Sequence, residues 1–308
     1  MRVLFFGTPD FAVPSFTALV GEGFDVVAVV TRPDRPVGRH RSRAEPSPIK
    51  RAALAEEVPV LVPERPSDPA FLDAVGPLAP DVAVVVAYGH ILKPALLDLP
   101  RLGSVNVHAS LLPALRGAAP IERAILEGRA ETGISIMQMD AGMDTGPVLH
   151  QVATPIAPDE TGGELRVRLA EMGALALVEA LTLLEAGGIT PRAQDDATAT
   201  YAPKLTREEE RLDWRQDADT LARKIRAFDP APGAWAECRG RAVKLFGGRA
   251  APGRKGPPGT VLEAGDILRI ACASGVLEVA DVQPAGKARM TARAFVNGRG
   301  AAAGDVFA

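Results

Sequence analysis

The feature that most constrains this chain is a run at residues 81–88 in which only valine and alanine stand between an aspartate and a tyrosine. A strand with apolar side chains on both faces is typical of a parallel sheet that helices cover on both sides. Residues 3–6 and 25–31 are similar apolar runs, and a glycine turn and a helical pattern at 7–20 separate them. This order of strand, turn, helix and strand predicts an α/β fold with a doubly wound, mostly parallel sheet.

Another strand pattern, at residues 102–109, carries two polar side chains that point the same way. Side chains alternate along a strand, so the valines share one face while Asn106 and His108 share the other. Pro113 ends regular pairing soon afterwards, because proline has no N–H to donate. An amide and an imidazole therefore stand side by side at the end of a strand, where open α/β sheets bind ligands.

An acidic residue in a later loop can join this pair. Asp144 lies between Gly142 and Gly146, in a loop that can fold back on the strand end. Asn106 can donate a hydrogen bond to a carbonyl oxygen that becomes negative, and His108 can do the same or shuttle a proton. Asp144 can orient the imidazole or take a proton through water. The pattern predicts acyl-type transfer without a covalent nucleophile, catalysed by these three residues.

Two alternatives stay open on the residues alone. The group can be an ordinary polar strand end beside an unrelated loop. His90, at the carboxyl end of the 81–88 strand, competes with His108 for a catalytic role. We favour His108, because no Asn or Asp partner for His90 is visible in the sequence.

Two motifs then resemble a known family, the folate-dependent formyltransferases. Residues 106–113 read Asn-Val-His-Ala-Ser-Leu-Leu-Pro, and residues 138–146 read Gln-Met-Asp-Ala-Gly-Met-Asp-Thr-Gly. Both resemble the family's signature. Three further segments match the members that act on initiator tRNA, at residues 5–12, 116–121 and 201–206.

The resemblance implies a domain organisation. A Rossmann-like catalytic domain is expected at residues 1–189, a linker at 190–207 and a C-terminal domain at 208–308. Beyond Trp235 the sequence itself shows short β-like runs separated by Gly/Pro turns, which predict a small antiparallel barrel. The resemblance implies that this barrel is OB-like and helps to hold tRNA.

The resemblance also implies a reaction. A formyl group passes from 10-formyltetrahydrofolate, a co-substrate, to the α-amino group of methionine on initiator methionyl-tRNA, for translation initiation. By the same resemblance the folate site is lined by Ser110, Leu111, Leu112 and Pro113, largely through backbone and apolar contact. Ala114 and Leu115 follow where the family usually carries Arg and Trp.

The distribution of charge favours a polyanionic partner bound from one side. Residues 1–208 hold 19 basic and 26 acidic residues, whereas residues 209–308 hold 16 basic and 12 acidic ones. Residues 32–48 form a predicted loop rich in arginine, whose guanidinium groups suit phosphate oxygens. The resemblance implies that this loop contacts the acceptor arm of the tRNA. The candidate tRNA-binding residues are Arg39, Arg41, Arg43, Arg241 and Lys244.

Several classes of protein are disfavoured. A nicotinamide enzyme would need a G-x-G-x-x-G fingerprint, and only Gly7 is present at the first turn. Cys238 and Cys272 form neither a disulfide framework nor a metal-ligand spacing, so we expect no metal. We see no signal peptide and no apolar run long enough to span a bilayer, and expect a cytoplasmic monomer without membrane contact.

Other functions are compatible with parts of the pattern. A formyltransferase for a sugar nucleotide or glycinamide ribonucleotide would keep the same catalytic trio, as would a hydrolase of formyl-folate. The arginine-rich loop and the basic C-terminal third favour tRNA over these. A non-catalytic tRNA-binding protein would not need the trio. A metal hydrolase would need His, Asp or Glu at ligand spacing, which the sequence lacks.

Overall fold

The computed structural model describes residues 1–37, 43–253 and 256–308, with the backbone alone at residues 35–37 and 43. These residues divide into two compact units. The first unit comprises Met1–Gly117, Thr132–Pro155 and Arg166–Ala202. The second comprises Ala118–Glu131, Ile156–Leu165 and Pro203–Ala308.

The first unit is built on a seven-stranded sheet in the order β5-β2-β1-β6-β7-β8-β9, beside a two-stranded hairpin of β3 and β4. The strands in chain order are β1 (Arg2–Gly7), β2 (Asp25–Val30), β3 (Arg35–Val37), β4 (Arg43–Glu45), β5 (Val60–Leu61), β6 (Val82–Val86), β7 (Ser104–His108), β8 (Glu131–Gln138) and β9 (Val148–Pro155). Strand β1 pairs in parallel with β2 and β6, β2 with β5, and β6 with β7. Strand β8 is antiparallel to β7. The predicted mostly parallel sheet is confirmed.

Helices lie in the crossovers between the parallel strands, as parallel pairing requires. The helices up to residue 185 are α1 (Val13–Gly21), α2 (Pro48–Ala55), α3 (Pro69–Val75), α4 (Pro94–Leu97), α5 (Pro120–Leu126) and α6 (Gly162–Glu185). Short 3-10 turns precede α1, at Asp10–Ala12, and follow α3, at Gly76–Leu78.

The core lies on both faces of the central strands. Every residue of β6 is buried, which is why its sequence shows no alternation between apolar and polar residues. Helix α6 packs closely on the neighbouring strand β7, since a Cβ added at Gly173 would stand 2.9 Å from Cγ1 of Val107. The candidate catalytic residues stand at the end of this closely packed strand.

The second unit contains an antiparallel sheet in the order β10-β11-β14-β13-β12, with β15 paired to β14. Its strands are β10 (Trp235–Cys238), β11 (Arg241–Ala251), β12 (Val261–Ala264), β13 (Leu268–Ala271), β14 (Val276–Pro284) and β15 (Met290–Thr291). The C-terminal segment links both edges of the sheet, because Phe307 bridges to Cys238 of the edge strand β10 and Val306 bridges to Thr260, just before the other edge strand β12. The sheet is thereby closed toward a small barrel, as the turn-rich sequence predicts.

Three helices accompany this sheet: α7 (Arg207–Glu210), α8 (Ala218–Ala227) and α9 (Ala292–Asn297). Helix α7 begins with a capping box, in which Thr206 and Glu209, a residue of the acidic run, satisfy each other's backbone N–H groups. Asp217 caps α8 by accepting a hydrogen bond from the backbone N–H of Thr220 at 2.8 Å.

The structure differs from the expected pattern in one local element. Residues 32–48, predicted as a loop without regular structure, contain the hairpin of β3 and β4, in which Arg35 pairs with Glu45. Proline is depleted in strands and the segment is rich in charged residues, so the sequence carried no strand signal there.

Candidate active site

The end of β7 presents Asn106 and His108. In the sheet Asn106 lies opposite Met137 of β8, and His108 lies opposite Ser135. The Asn106 side chain is half-buried, and within the described residues its amide makes no hydrogen bond. An amide donor that is unpaired and accessible can bind an oxygen atom of a ligand.

His108 is held in one orientation. Its side chain is only 6% exposed, and Nε2 donates a hydrogen bond to the carbonyl oxygen of Leu115 at 3.0 Å. Because a carbonyl can only accept, this contact assigns the hydrogen to Nε2. Leu115 adopts a left-handed backbone (φ 60°), and its own N–H donates to the Thr200 hydroxyl at 2.9 Å. The unusual residue at 115 therefore serves the imidazole through its backbone.

Asp144 lies on the other side of the imidazole. Its Oδ2 is 3.6 Å from Nδ1 of His108 and accepts a hydrogen bond from the backbone N–H of Gly117 at 2.8 Å. The Asp144 side chain is 21% exposed, so a water molecule or substrate can reach it. The structure thus brings together the carboxylate and the imidazole that the sequence places 36 positions apart.

Glycines allow the Asp144 loop to take this path. A side chain at Gly146 would collide with the carbonyl of Gln138, and one at Gly142 would collide with the Thr145 hydroxyl. Asp140 organises the turn by accepting hydrogen bonds from Gly142 N at 2.9 Å and from Thr145 Oγ1 at 2.8 Å. Asp144 itself has a left-handed backbone, with φ 54°.

A buried arginine and a glutamine hold this loop from behind. Arg116 is 2% exposed, and its guanidinium donates from Nε at 3.0 Å and from a terminal nitrogen at 2.9 Å to Oε1 of Gln194. Gln194 Nε2 then donates to the carbonyl oxygens of Asp144 at 2.8 Å and Gly146 at 2.7 Å. Asp196 balances the buried charge at 2.8 Å from the same guanidinium. We call Arg116 and Gln194 the Asp144 clamp.

The segment after β7 is anchored by polar contacts. Ser110 is buried and its hydroxyl donates to the carbonyl of Ala114 at 2.6 Å. Leu112 is buried, and its carbonyl accepts from Gln151 Nε2 at 2.9 Å. Leu111 and Pro113 are half-buried. Of these four predicted folate-binding residues, two thus face the interior and two retain accessible surface.

The predicted tRNA-binding residues fall in different places. Arg39 and Arg41 lie outside the described residues, and only the backbone of Arg43, in β4, is described. Arg241 is exposed at the start of β11. Lys244 is half-buried, donates from Nζ to the Pro232 carbonyl at 2.6 Å and lines a cavity of about 440 Å³ that Arg207 and Trp235 also line.

The competing histidine has a different environment. The His90 ring lies 5.4 Å from the ring of Tyr88, and in the part of the chain that the structure describes it forms no ion pair with a carboxylate. Burial and then the charge of Arg32 lower the pKa of His90. Burial raises the pKa of Tyr88 to about 12, so both groups are neutral at pH 7.

The described ranges contain no cluster of three His, Cys, Asp or Glu side chains that could hold a metal ion. Among the same residues, no helix is both long and apolar enough to cross a membrane.

Sequence reasoning missed the Asp144 clamp and Leu115. Residues 190–202 read as a polar linker, yet Arg192 exchanges backbone hydrogen bonds with Val148, and Ala202 N donates to the Arg116 carbonyl at 2.7 Å. The segment at 116–121 resembles the family, but a buried arginine cannot be told from a surface arginine by sequence alone. Its partner Gln194 lies 78 positions away.

Comparison with known proteins agrees with this architecture. Residues 1–181 match the family model "Formyl transferase" and residues 204–300 match "Formyl transferase, C-terminal domain". The chain is 50% identical over 99% of its length to a methionyl-tRNA formyltransferase of Thiobacillus denitrificans, covering 98% of that protein. It is also 50% identical to the protein of the same name from Stenotrophomonas maltophilia, over 97% of this chain and 98% of the relative.

A solved structure shares the fold at low identity. It is HypX from Aquifex aeolicus in complex with tetrahydrofolic acid, with a TM-score of 0.67 and 21% identity. The likeness covers 97% of this chain and 47% of HypX.

Proposed function

Because this chain belongs to the formyl transferase family, we propose that it transfers a formyl group from 10-formyltetrahydrofolate to the α-amino group of methionine on initiator methionyl-tRNA. The protein is a one-carbon transferase, and its reaction prepares the initiator tRNA for translation initiation. The observation that carries the chemistry is the meeting of an unpaired Asn106 amide, a fixed His108 and Asp144 at one strand end.

Each side chain has a role in the proposed mechanism. When bound, 10-formyltetrahydrofolate supplies a formyl carbon that an amine can attack. Asn106 donates a hydrogen bond to the formyl oxygen, which becomes negative during the attack. His108, whose ring is fixed by the contact of Nε2 with the Leu115 carbonyl, presents Nδ1 toward Oδ2 of Asp144 at 3.6 Å. Asp144 Oδ2 accepts the proton released by the amine, directly or through a water. The bond between the formyl carbon and the folate nitrogen then breaks, and the proton passes to that nitrogen, which leaves as tetrahydrofolate.

The residues present fit a folate co-substrate. A carbonyl-type oxygen would satisfy the Asn106 amide, which has no other partner in the described chain. We propose that Ser110, Leu111, Leu112 and Pro113 line the folate site, with the buried pair acting through the backbone. No metal enters this mechanism, because the amide and imidazole supply the donors.

The acceptor is proposed from the close relatives and from charge. We propose that five basic residues contact tRNA phosphates: Arg39, Arg41, Arg43, Arg241 and Lys244.

We further propose a cytoplasmic monomer with a catalytic domain at residues 1–189, a linker at 190–207 and a tRNA-binding domain at 208–308.

Formylation of methionyl initiator tRNA tests this proposal, with 10-formyltetrahydrofolate as donor. Asn106→Ala is expected to lower kcat about 100- to 1000-fold, the usual cost of an oxyanion donor. The chain's other asparagine, Asn297, is exposed at the end of α9, so Asn297→Ala is the matched control and should retain full activity. Asp144→Asn and the exposed Asp73→Asn form a second matched pair.

Two results would contradict the proposal in different ways. Formyl-folate consumed without formylation of the tRNA would keep the chemistry and replace the acceptor by water or another amine. Equal activity in Asn106→Ala and Asn297→Ala would remove the amide from the mechanism.

A further inference from the structure

A cavity rich in arginine lies within the second unit. It has a volume of about 560 Å³ and is lined by the loop after α5, residues 156–159, one face of α8 and the middle of β11. Its charged lining residues are Arg129, Arg223, Arg226 and Arg249, with Asp159 and Asp219. We call it the arginine cavity.

The arginines outnumber the carboxylates, so the lining carries an excess of two positive charges. The ion pair between Arg249 and Asp159 spans 3.7 Å, and both side chains are more than 70% exposed, so it is weak. Arg129 is better compensated, because Glu127 lies 2.7 Å from its Nε. The positive charge is therefore least compensated on α8 and β11.

The two arginines of α8 are half-buried. Arg223 lies against Gly128, donates to the Thr220 hydroxyl at 2.9 Å and has a buried Nε without a hydrogen-bond partner in the described chain. Arg226 donates to the carbonyl of Glu160 at 3.3 Å. Burial and then the charge of Arg223 lower the pKa of Arg226. Neighbouring like charges of this kind are stabilised by a bound anion.

We infer that the arginine cavity binds phosphate groups of the tRNA backbone, with Arg223 and Arg249 as the principal donors. Guanidinium groups match phosphate oxygens in geometry and can donate two hydrogen bonds to one group. No aromatic side chain lines the cavity within the described residues, so it offers no platform for stacking bases. This inference rests on the proposed function for the identity of the RNA, and it adds contacts outside the 32–48 loop.

Direct binding tests the inference without catalysis. Uncharged initiator tRNA is titrated with the full-length protein at several salt concentrations, in the absence of a formyl donor. Arg249→Gln and Arg223→Gln are each expected to raise Kd about tenfold at low salt, the lower end for a charge-assisted hydrogen bond. Each should also reduce the slope of log Kd against log salt by about one.

The control variant is Arg215→Gln, which removes an arginine of the same unit that is 85% exposed and paired with Asp213. It should leave Kd and slope unchanged. Arg223→Lys keeps the charge and should recover part of the affinity, and urea midpoints show that each variant is folded. In formylation assays the cavity variants should raise the KM for tRNA and leave kcat at saturating tRNA unchanged.

Two results would overturn the inference. Unchanged Kd and slope in both glutamine variants would show that the cavity is not a phosphate site for RNA, even if the protein formylates its tRNA normally. If the two glutamine variants lose binding of inorganic phosphate in equilibrium dialysis but keep the tRNA affinity of the wild type, the ligand of the cavity is a free phosphate. If the wild-type protein binds tRNA through these arginines but does not formylate it, the proposed function fails and the inference stands.

Discussion

The Asp144 clamp makes a sharp prediction about Gln194→Glu. The substitution replaces the side-chain NH2 by an oxygen of nearly the same size. Both hydrogen bonds that Gln194 donates, to the carbonyls of Asp144 at 2.8 Å and Gly146 at 2.7 Å, are lost. The acceptor of the Arg116 guanidinium remains, so the buried arginine keeps its partner.

The expected loss of activity in Gln194→Glu follows from these contacts. Each intramolecular hydrogen bond contributes about 1 kcal/mol, and a carbonyl left unsatisfied costs about 1–3 kcal/mol. The substitution removes two such bonds and makes a carboxylate face two carbonyl oxygens. The combined free-energy cost is enough to move the loop out of its native position. The Asp144 carboxylate is then displaced from His108, and a displacement of about 1 Å can lower the rate about 100-fold.

The assay is steady-state formylation, with kcat and KM measured separately from pH 6 to 9. We expect kcat to fall about 100-fold, with a changed pH profile and little change in the KM for tRNA. Gln216→Glu, at an exposed glutamine of the second unit, adds the same charge elsewhere and should not change kcat. If Gln194→Glu lowers the urea midpoint but keeps kcat within threefold of the wild type, the clamp is structural only and the positioning argument is wrong.

Three further predictions concern the site and the stability of the second unit. Gly117→Ala should lower kcat at least tenfold, because φ of Gly117 is 119° and the new Cβ would stand 2.8 Å from a carbonyl oxygen. The control Gly23→Ala, at a residue with φ 79° and open space around it, should change stability by only about 1 kcal/mol and leave kcat unchanged. Arg289→Ala should lower the free energy of unfolding by about 2 kcal/mol in urea titrations, because it leaves the buried Asp229 carboxylate without its partner at 2.8 Å. Burial raises the pKa of Cys272 from 9.0 to about 11, so the folded protein favours the neutral thiol. The contribution of this thiol to stability is complete below pH 9 and declines as the pH rises toward 11. Iodoacetamide at pH 8 should therefore label Cys272 only after unfolding.

Local patterns of the sequence were sufficient for the framework of the site. The valine run of β6 and the alternation along β7 depend only on neighbouring residues, and they correctly predicted a central parallel strand and a polar strand end. The side-chain period of a strand places Asn106 and His108 on one face whatever the rest of the chain does. The motif resemblance then indicated the family and the chemistry.

Tertiary structure alone decided how the catalytic groups are held. The pairing of Asp144 with His108 depends on a loop that returns to the strand end, and the hydrogen of Nε2 is assigned by the backbone of Leu115. Arg116 and Gln194 are 78 positions apart, and neither residue carries a local signal of burial. Local propensity acts over a few residues, whereas these contacts form only when the intervening chain packs into one unit. The sequence therefore indicated that Asp144 could meet His108, but not which backbone and buried side chains hold the two groups in place.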